Sequence, residues 1–317
     1  MSRGRPGGRH AITAVELLVT IAVIAVLAGL LLPAIQSARE AGRSVTCQSR
    51  LRQIALAVGL HLDFHGVLPP ARGEAAADPV ATGPAAFPTW LWTIGPHLDE
   101  HRGLDWPPGS RYDQLADAVR TTPVAAFLCP SRRDAMSAVS ETAVGPPRVG
   151  PCGCILPGAN VLAGAVSDYA GNQGDLSAGS DFAKGGHGTG TIVGSRVAAG
   201  SNVPLDLVRI RDIRDGLSAT LLVSEAHVRR EHLLQLPDTG PAYDGSQFQF
   251  TARVGGPGVG IGAGPADDGG GTGWMGFGGW HPGGCQVAYA DGHVARLAFD
   301  IPPSVLGSLC NRADERP

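Results

Sequence analysis

The sequence predicts an α+β protein in which a long N-terminal helix packs on a largely antiparallel β-sheet domain with long loops. Three observations lead there. Residues 17–35 read LLVTIAVIAVLAGLLLPAI, an apolar run of about 19 residues, close to the ~20 that a helix needs to cross a ~30 Å hydrocarbon core. Beyond it, Val45, Leu51, Ile54, Ala55, Val58 and Leu62 recur at helical spacings, so the helix continues in amphipathic form. Near the C-terminus, residues 286–290 and 293–297 flank Asp291-Gly292, a pair that favours a tight β-hairpin turn.

The helix comes first. Arg3, Arg5 and Arg9 precede the apolar run and hold the N-terminus in the cytoplasm, which gives a single-pass topology. Glu16 stands at the mouth of the run. A carboxylate beside lipid costs several kcal/mol unless it finds a partner, so this residue is a functional candidate. Pro33 is tolerated in a membrane helix. Arg39, Glu40, Arg43, Arg50 and Arg52 suit the wet side or subunit contacts, and Gly66 with Pro69-Pro70 ends the helix. From about residue 13 to about residue 65 it spans roughly 80 Å. His61 and His65 lie four apart, a metal-ligand spacing. The stretch His61-Leu62-Asp63-Phe64-His65 lacks the glutamate of a zinc-protease helix, and the helix C-terminal dipole explains both imidazoles better.

The rest reads as short strands and loops. Trp90, Trp92 and Ile94 alternate, and residues 124–128 form an apolar run into Cys129-Pro130-Ser131. Residues 167–172 (SDYAGN) are polar and turn-rich, whereas residues 212–225 (DIRDGLSATLLVSE) read as a turn feeding a buried strand. Residues 255–279 form a glycine-dense loop expected to be mobile. In the hairpin, a two-residue type I′ turn would set Tyr289 opposite Val294 and Ala288 opposite Ala295.

Composition bounds the function. The 317 residues carry net charge −3 and a pI near 6.3, with no long basic block past the leader, so nucleic acid is not an expected partner. With 46 glycines, 25 prolines and few aromatics, the chain suits a loop-rich β domain. The six cysteines are Cys47, Cys129, Cys152, Cys154, Cys285 and Cys310. They allow about 15 full pairings, among which sequence does not choose. Cys152 and Cys154 are too close to join each other comfortably. The preferred bridge is Cys47 to Cys129, tying helix to domain. No second closely spaced pair suggests a metal site.

Two resemblances follow from these residues. The segment His10-Ala11-Ile12-Thr13-Ala14-Val15-Glu16-Leu17-Leu18-Val19 resembles the N-terminal signal of type IV pilins and type II secretion pseudopilins. That resemblance implies a prepilin peptidase that cuts between Ala11 and Ile12, often with N-methylation, so that Glu16 becomes the fifth mature residue. It implies residues 1–11 as leader, 12–65 as helix and 66–317 as globular domain. The new Ile12 ammonium would neutralise the Glu16 of a neighbouring subunit. The family usually carries Gly before the cut and Phe after it, where this chain has Ala11 and Ile12. The alternatives are a secretory signal, for which only Val26-Leu27-Ala28 comes near a cleavage site, and an uncleaved signal anchor.

The second resemblance covers nearly the whole chain. His281, nine residues, then Asp291-Gly292 resembles the H-x9-D-G signature of the bacterial pilin-like family DUF1559. Cys47 on the long helix, residues 127–131 (FLCPS), 168–172 (DYAGN) and 215–220 (DGLSAT) follow in the family's order. The resemblance implies a membrane-anchored protein and no particular chemistry. His281, Asp291 and His293 would converge on a metal only if the hairpin allowed it, and Asp267 and Asp268 would add oxygen ligands for Ca²⁺. Turn geometry and a backbone-bonded imidazole explain the signature better, so no cofactor is expected. Nor is an enzyme expected: there is no nucleophile elbow, phosphate loop or dinucleotide fingerprint, and Glu225 and His227 have no placed nucleophile. The sequence therefore predicts a subunit of a type IV pilus-like or type II secretion-like fibre. It would sit in the bacterial cytoplasmic membrane with its domain outside, and its partners would be lipid, the peptidase and other pilin-like subunits. The alternative is a membrane-tethered binding module that does not polymerise.

Overall fold

A computed structural model describes residues 13–75, 88–99, 104–107, 110–144, 148–149, 155–156, 160–177, 188–197, 204–236, 238–268 and 272–314. The chain divides into two units, one ending at Arg43 and one beginning at Ser44. Helix α1 (Ala14–His65) runs through the boundary.

In the first unit, Thr13 and Glu16 form a reciprocal capping box. The Glu16 carboxylate accepts from the Thr13 N–H and hydroxyl, both at 2.9 Å, and Glu16 N–H donates to Thr13 Oγ1 at 3.3 Å. Past the cap, Leu17, Leu18, Ile21, Ile24, Leu27 and Leu31 are all exposed. This stretch is long and apolar enough to cross a membrane, and none of its apolar window is buried.

In the second unit, α1 buries Ser44, Cys47, Leu51, Ile54, Ala55, Ala57, Val58 and His61. Val45, expected on that stripe, is 64 % exposed. The true face follows 44, 47, 51, 54, 58 and 61 at alternating steps of three and four, and its ends are polar residues that an apolar count skips. Leu51, Ile54 and Val58 pack with Trp90, Phe127, Tyr169 and Leu222, each aliphatic burial stabilising by about 1.5–3 kcal/mol.

The central sheet has five strands, β1 (Tyr169–Gly174), β2 (Leu221–Glu225), β3 (Ala252–Val254), β4 (Cys285–Tyr289) and β5 (Val294–Leu297), in the order β3-β1-β2-β4-β5. The β3–β1 pair is parallel and the other three are antiparallel. Short two-stranded ladders accompany it. Strand β4 alternates as period two requires: Ala288 joins the core under α1, while Cys285, Val287 and Tyr289 pack with Leu306 and Cys310 of α3 (Pro303–Cys310). The architecture is thus α+β, with a largely antiparallel sheet and long loops.

Several local expectations are corrected. Trp90 and Trp92 lie on a four-residue helix, α2 (Trp90–Thr93), not a strand. Trp90, Leu91 and Trp92 are all buried, so the alternation marked no single face. Residues 124–128 contain a 3₁₀ turn, Ala125–Phe127. The polar stretch at 167–172 enters the fully buried strand β1. Its Asn172 is satisfied internally: Nδ2 donates to Leu221 O at 2.9 Å and Cys310 O at 2.8 Å, and Oδ1 accepts from Gly174 N–H at 3.0 Å.

The hairpin forms one residue out of the expected register, with Ala288 opposite Val294 and Val287 opposite Ala295. Its loop is the three residues 290–292: Gly292 N–H donates to Tyr289 O, and Tyr289 N–H to His293 O, both at 2.9 Å. Gly292 has φ +88° and Asp291 is not left-handed, so a type I turn with a glycine bulge replaces the type I′ turn, which needs two positive φ angles. The glycine-dense segment is packed at two of its glycines. A Cβ on Gly262 or Gly278 would sit 2.1 or 2.6 Å from the His227 ring, so glycine is required there for close packing on a buried imidazole.

His61 is corrected too. It is buried, 5 % exposed, and its ring lies 4.3 Å from that of His65. Burial, then the neighbouring His65 and His97, lower its pKa to about 4. The fold therefore holds it neutral, whereas in the unfolded chain it protonates near pH 6.5. Stability is full above that value and declines as pH falls towards 4, by up to about 3 kcal/mol. His61→Leu should flatten the pH 4–6.5 part of the stability profile in denaturant titrations. An unchanged slope would contradict this account.

Candidate functional site

Five segments far apart in sequence meet at one buried point. Helix α1 contributes Cys47, the turn after residues 125–127 contributes Cys129, β1 is preceded by Asp168, β2 ends on Glu225, and His281 lies just before β4. The ligand atoms of Cys47, Cys129, Glu225 and His281 all lie within 4.8 Å of one another, and all four residues are buried. The two sulfurs are 2.8 Å apart as free thiols. The structure brings the two cysteines of the expected bridge into contact and leaves both free. Cys129 Sγ is 3.5 Å from His281 Nε2, which lies 3.4 Å from Glu225 Oε1.

Each group has a support. His281 Nδ1 faces Ser131 Oγ at 3.5 Å, and Glu225 Oε2 accepts from Gln286 N–H at 2.8 Å. Asp168 accepts from Cys129 N–H at 2.7 Å, and its carboxylate pairs with Arg133 at 2.8 Å and Arg132 at 3.6 Å, all fully buried. Arg132 also donates to Gly278 O at 2.6 Å. Tyr169 Oη donates to Cys47 O at 3.4 Å, and the Gln286 amide meets Ser44 and Gln48 at 3.0 and 3.2 Å. A surface groove of about 520 Å³, whose lining includes Arg50, Pro130, Ser131, Arg132 and Arg133, reaches this node at Ser131.

Burial would lower the His281 pKa, but the Cys129 thiol and Glu225 carboxylate raise it to about 10. Burial would raise Glu225, and His281 with Arg132 bring it below the ordinary value. Burial pushes the Cys129 thiol well up. At neutral pH the site therefore holds an imidazolium–carboxylate pair beside the protonated Cys129 thiol. This is not a nucleophilic relay. A relay needs the base to face the nucleophile with one ring nitrogen and its orienting carboxylate with the other. Here Nε2 faces both Cys129 and Glu225.

The sequence profile described as Protein of unknown function (DUF1559) matches residues 36–303. The chain belongs to this family. No curated protein and no solved structure matches the chain. The DUF1559 match contains all four clustered side chains and begins just past the apolar run at residues 17–35. Of the segments that carried the DUF1559 resemblance, those that hold Cys47, Cys129, Asp168 and His281 meet at this node.

The remaining candidates fall elsewhere. Ala11 and Ile12 lie outside the described residues, as do Cys152 and Cys154. Glu16 is the carboxylate of the capping box. Asp291 and His293 do not join His281. Asp291 Oδ1 meets His293 Nδ1 at 2.6 Å within the exposed turn. Asp267 accepts from Ala263 N–H at 2.7 Å and through its backbone carbonyl faces His227 Nε2 at 2.7 Å. Among the described residues, the one group of three or more such donors is the buried cluster, and its thiols are wrong for calcium. Sequence reasoning missed Asp168, Arg132, Arg133 and the role of Glu225. The signal was Glu225 itself, a carboxylate ending a strand of four otherwise buried residues.

Proposed function

We propose that this chain is a membrane-anchored, pilin- or pseudopilin-like structural subunit, not an enzyme. It would act in a fibre of the type IV pilus or type II secretion kind. The observation that carries this reading is helix α1. Its apolar start exposes every large side chain, while its later turns are built into the core of a compact domain. An apolar surface of that length needs lipid before assembly and neighbouring helices after it. Prepilin peptidase would cut between Ala11 and Ile12, leaving the N-terminus at the cytoplasmic face and the domain outside. The rival tethered-module reading drew on a free glycine-rich loop. Part of that segment, Gly262 and Gly278, is packed against His227.

Photo-crosslinking from residues 17–35 in the native membrane tests this reading. A subunit of a fibre gives a ladder of self-crosslinked products. Crosslinks to lipid alone would overturn the fibre reading in favour of a tethered monomer.

A further inference from the structure

We propose that Cys47, Cys129, Glu225 and His281 form a zinc site, with two thiolates, one imidazole and one carboxylate around one ion. The donor set is the first argument. Sulfur, imidazole nitrogen and carboxylate are the ligands of four-coordinate zinc. All four donors are present on buried residues within 4.8 Å of one another.

The distances are the second. Bonds of about 2.0 Å to nitrogen and oxygen and about 2.3 Å to sulfur give tetrahedral edges of about 3.3 Å (N to O) and about 3.5 Å (S to N). The observed separations are 3.4 Å for His281 to Glu225 and 3.5 Å for Cys129 to His281. The Cys47–Cys129 edge, now 2.8 Å, would open to about 3.8 Å.

Third, Glu225 Oε1 is fully buried, and its partner there is the His281 ring at 3.4 Å, with no hydrogen bond besides. A cation between the two would give that oxygen a direct ligand bond.

Charge and second-layer contacts agree. Two thiolates and a carboxylate around Zn²⁺ leave one negative charge. The Arg132–Arg133–Asp168 group beside them carries one positive charge in excess. Ser131 orients the outer nitrogen of His281, and the Gln286 N–H holds the outer oxygen of Glu225, as supporting groups do at metal centres. Binding displaces both thiol protons and the imidazolium proton to solvent, with no change of oxidation state. The groove ends against Ser131, whose hydroxyl faces His281. The ion would clamp Cys47 of α1 to three loop and strand ends. This inference stands apart from the fibre reading, since the same site would serve a tethered monomer.

The test uses the full chain in detergent, reduced and held without oxygen, titrated with Co²⁺ and then Zn²⁺. The expected result is one cobalt per chain, tetrahedral bands with a thiolate charge-transfer band, and displacement by zinc. X-ray absorption of the zinc form should show two sulfur and two lighter ligands. Cys47→Ser and His281→Gln should weaken binding by more than the ~10–100-fold that loss of a supporting residue costs. If these variants do not fold, the wild-type absorption spectrum decides. Three results would overturn the site: a reduced, folded chain that takes up no cobalt, binding unchanged by Cys47→Ser, or a chain recovered from membranes zinc-free with Cys47 and Cys129 joined.

Discussion

Glu16→Gln is expected to leave membrane insertion and helicity unchanged and to reduce the assembled fraction roughly tenfold or more, a loss of at least about 1.4 kcal/mol. The structure explains why glutamine is the decisive replacement. Glu16 has two separable properties. Its oxygens cap the helix through Thr13, and on the proposed reading its charge would meet the ammonium of a neighbouring Ile12. Glutamine keeps an acceptor for the capping box but carries no charge. Glu16→Ala removes both and should add a helix-end cost of about 1 kcal/mol. Native sedimentation of membrane extracts reads assembly, and circular dichroism reads the helix. If Glu16→Gln assembles like the parent chain, the residue is a cap alone and the charge pairing is wrong.

Asp168→Asn is expected to destabilise the domain by about 3–5 kcal/mol, the largest effect of any single change argued here. Asp168 is the shared anion of Arg132 and Arg133, and all three side chains are fully buried. Removing its charge leaves two guanidinium groups in the interior with Glu225 as the nearby carboxylate. It also weakens the acceptor that holds the Cys129 N–H. Denaturant unfolding of the full chain in detergent measures the loss. A change under 1 kcal/mol would mean that the arginines are satisfied elsewhere and that Asp168 does not organise the node.

The helix was legible because it rests on periodicity sustained over many turns. The expected span, about residue 13 to about residue 65, compares with Ala14–His65. Strand β2 was legible for the same kind of reason, a run of apolar residues after a Gly-containing turn. Short elements were not. The Trp90–Trp92 alternation mimicked a strand because every residue there is buried. The polarity of β1 mimicked a loop because Asn172 spends its hydrogen bonds on interior backbone. Asp291-Gly292 announced a turn correctly but left its type open, and one residue of loop length shifts the whole register. The buried node was the least legible part. Metal-site rules look for donors a few residues apart, whereas Cys47 and Cys129 are 82 positions apart and Cys129 and His281 are 152 apart. Glu225 has no partner near it in sequence to mark it. Its neighbours are supplied only by the sheet order and the packing of α1.

The central claim, a processed pilin-like subunit, is tested most directly by the mass of the mature N-terminus, measured on protein taken from the membrane fraction. The account predicts a chain that begins at Ile12, methylated or not, with its ammonium available to the Glu16 of a neighbour. A chain that still begins at Met1 or Ser2 would contradict it, and would leave Glu16 with the local role it has in the structure, capping the first turn of the helix.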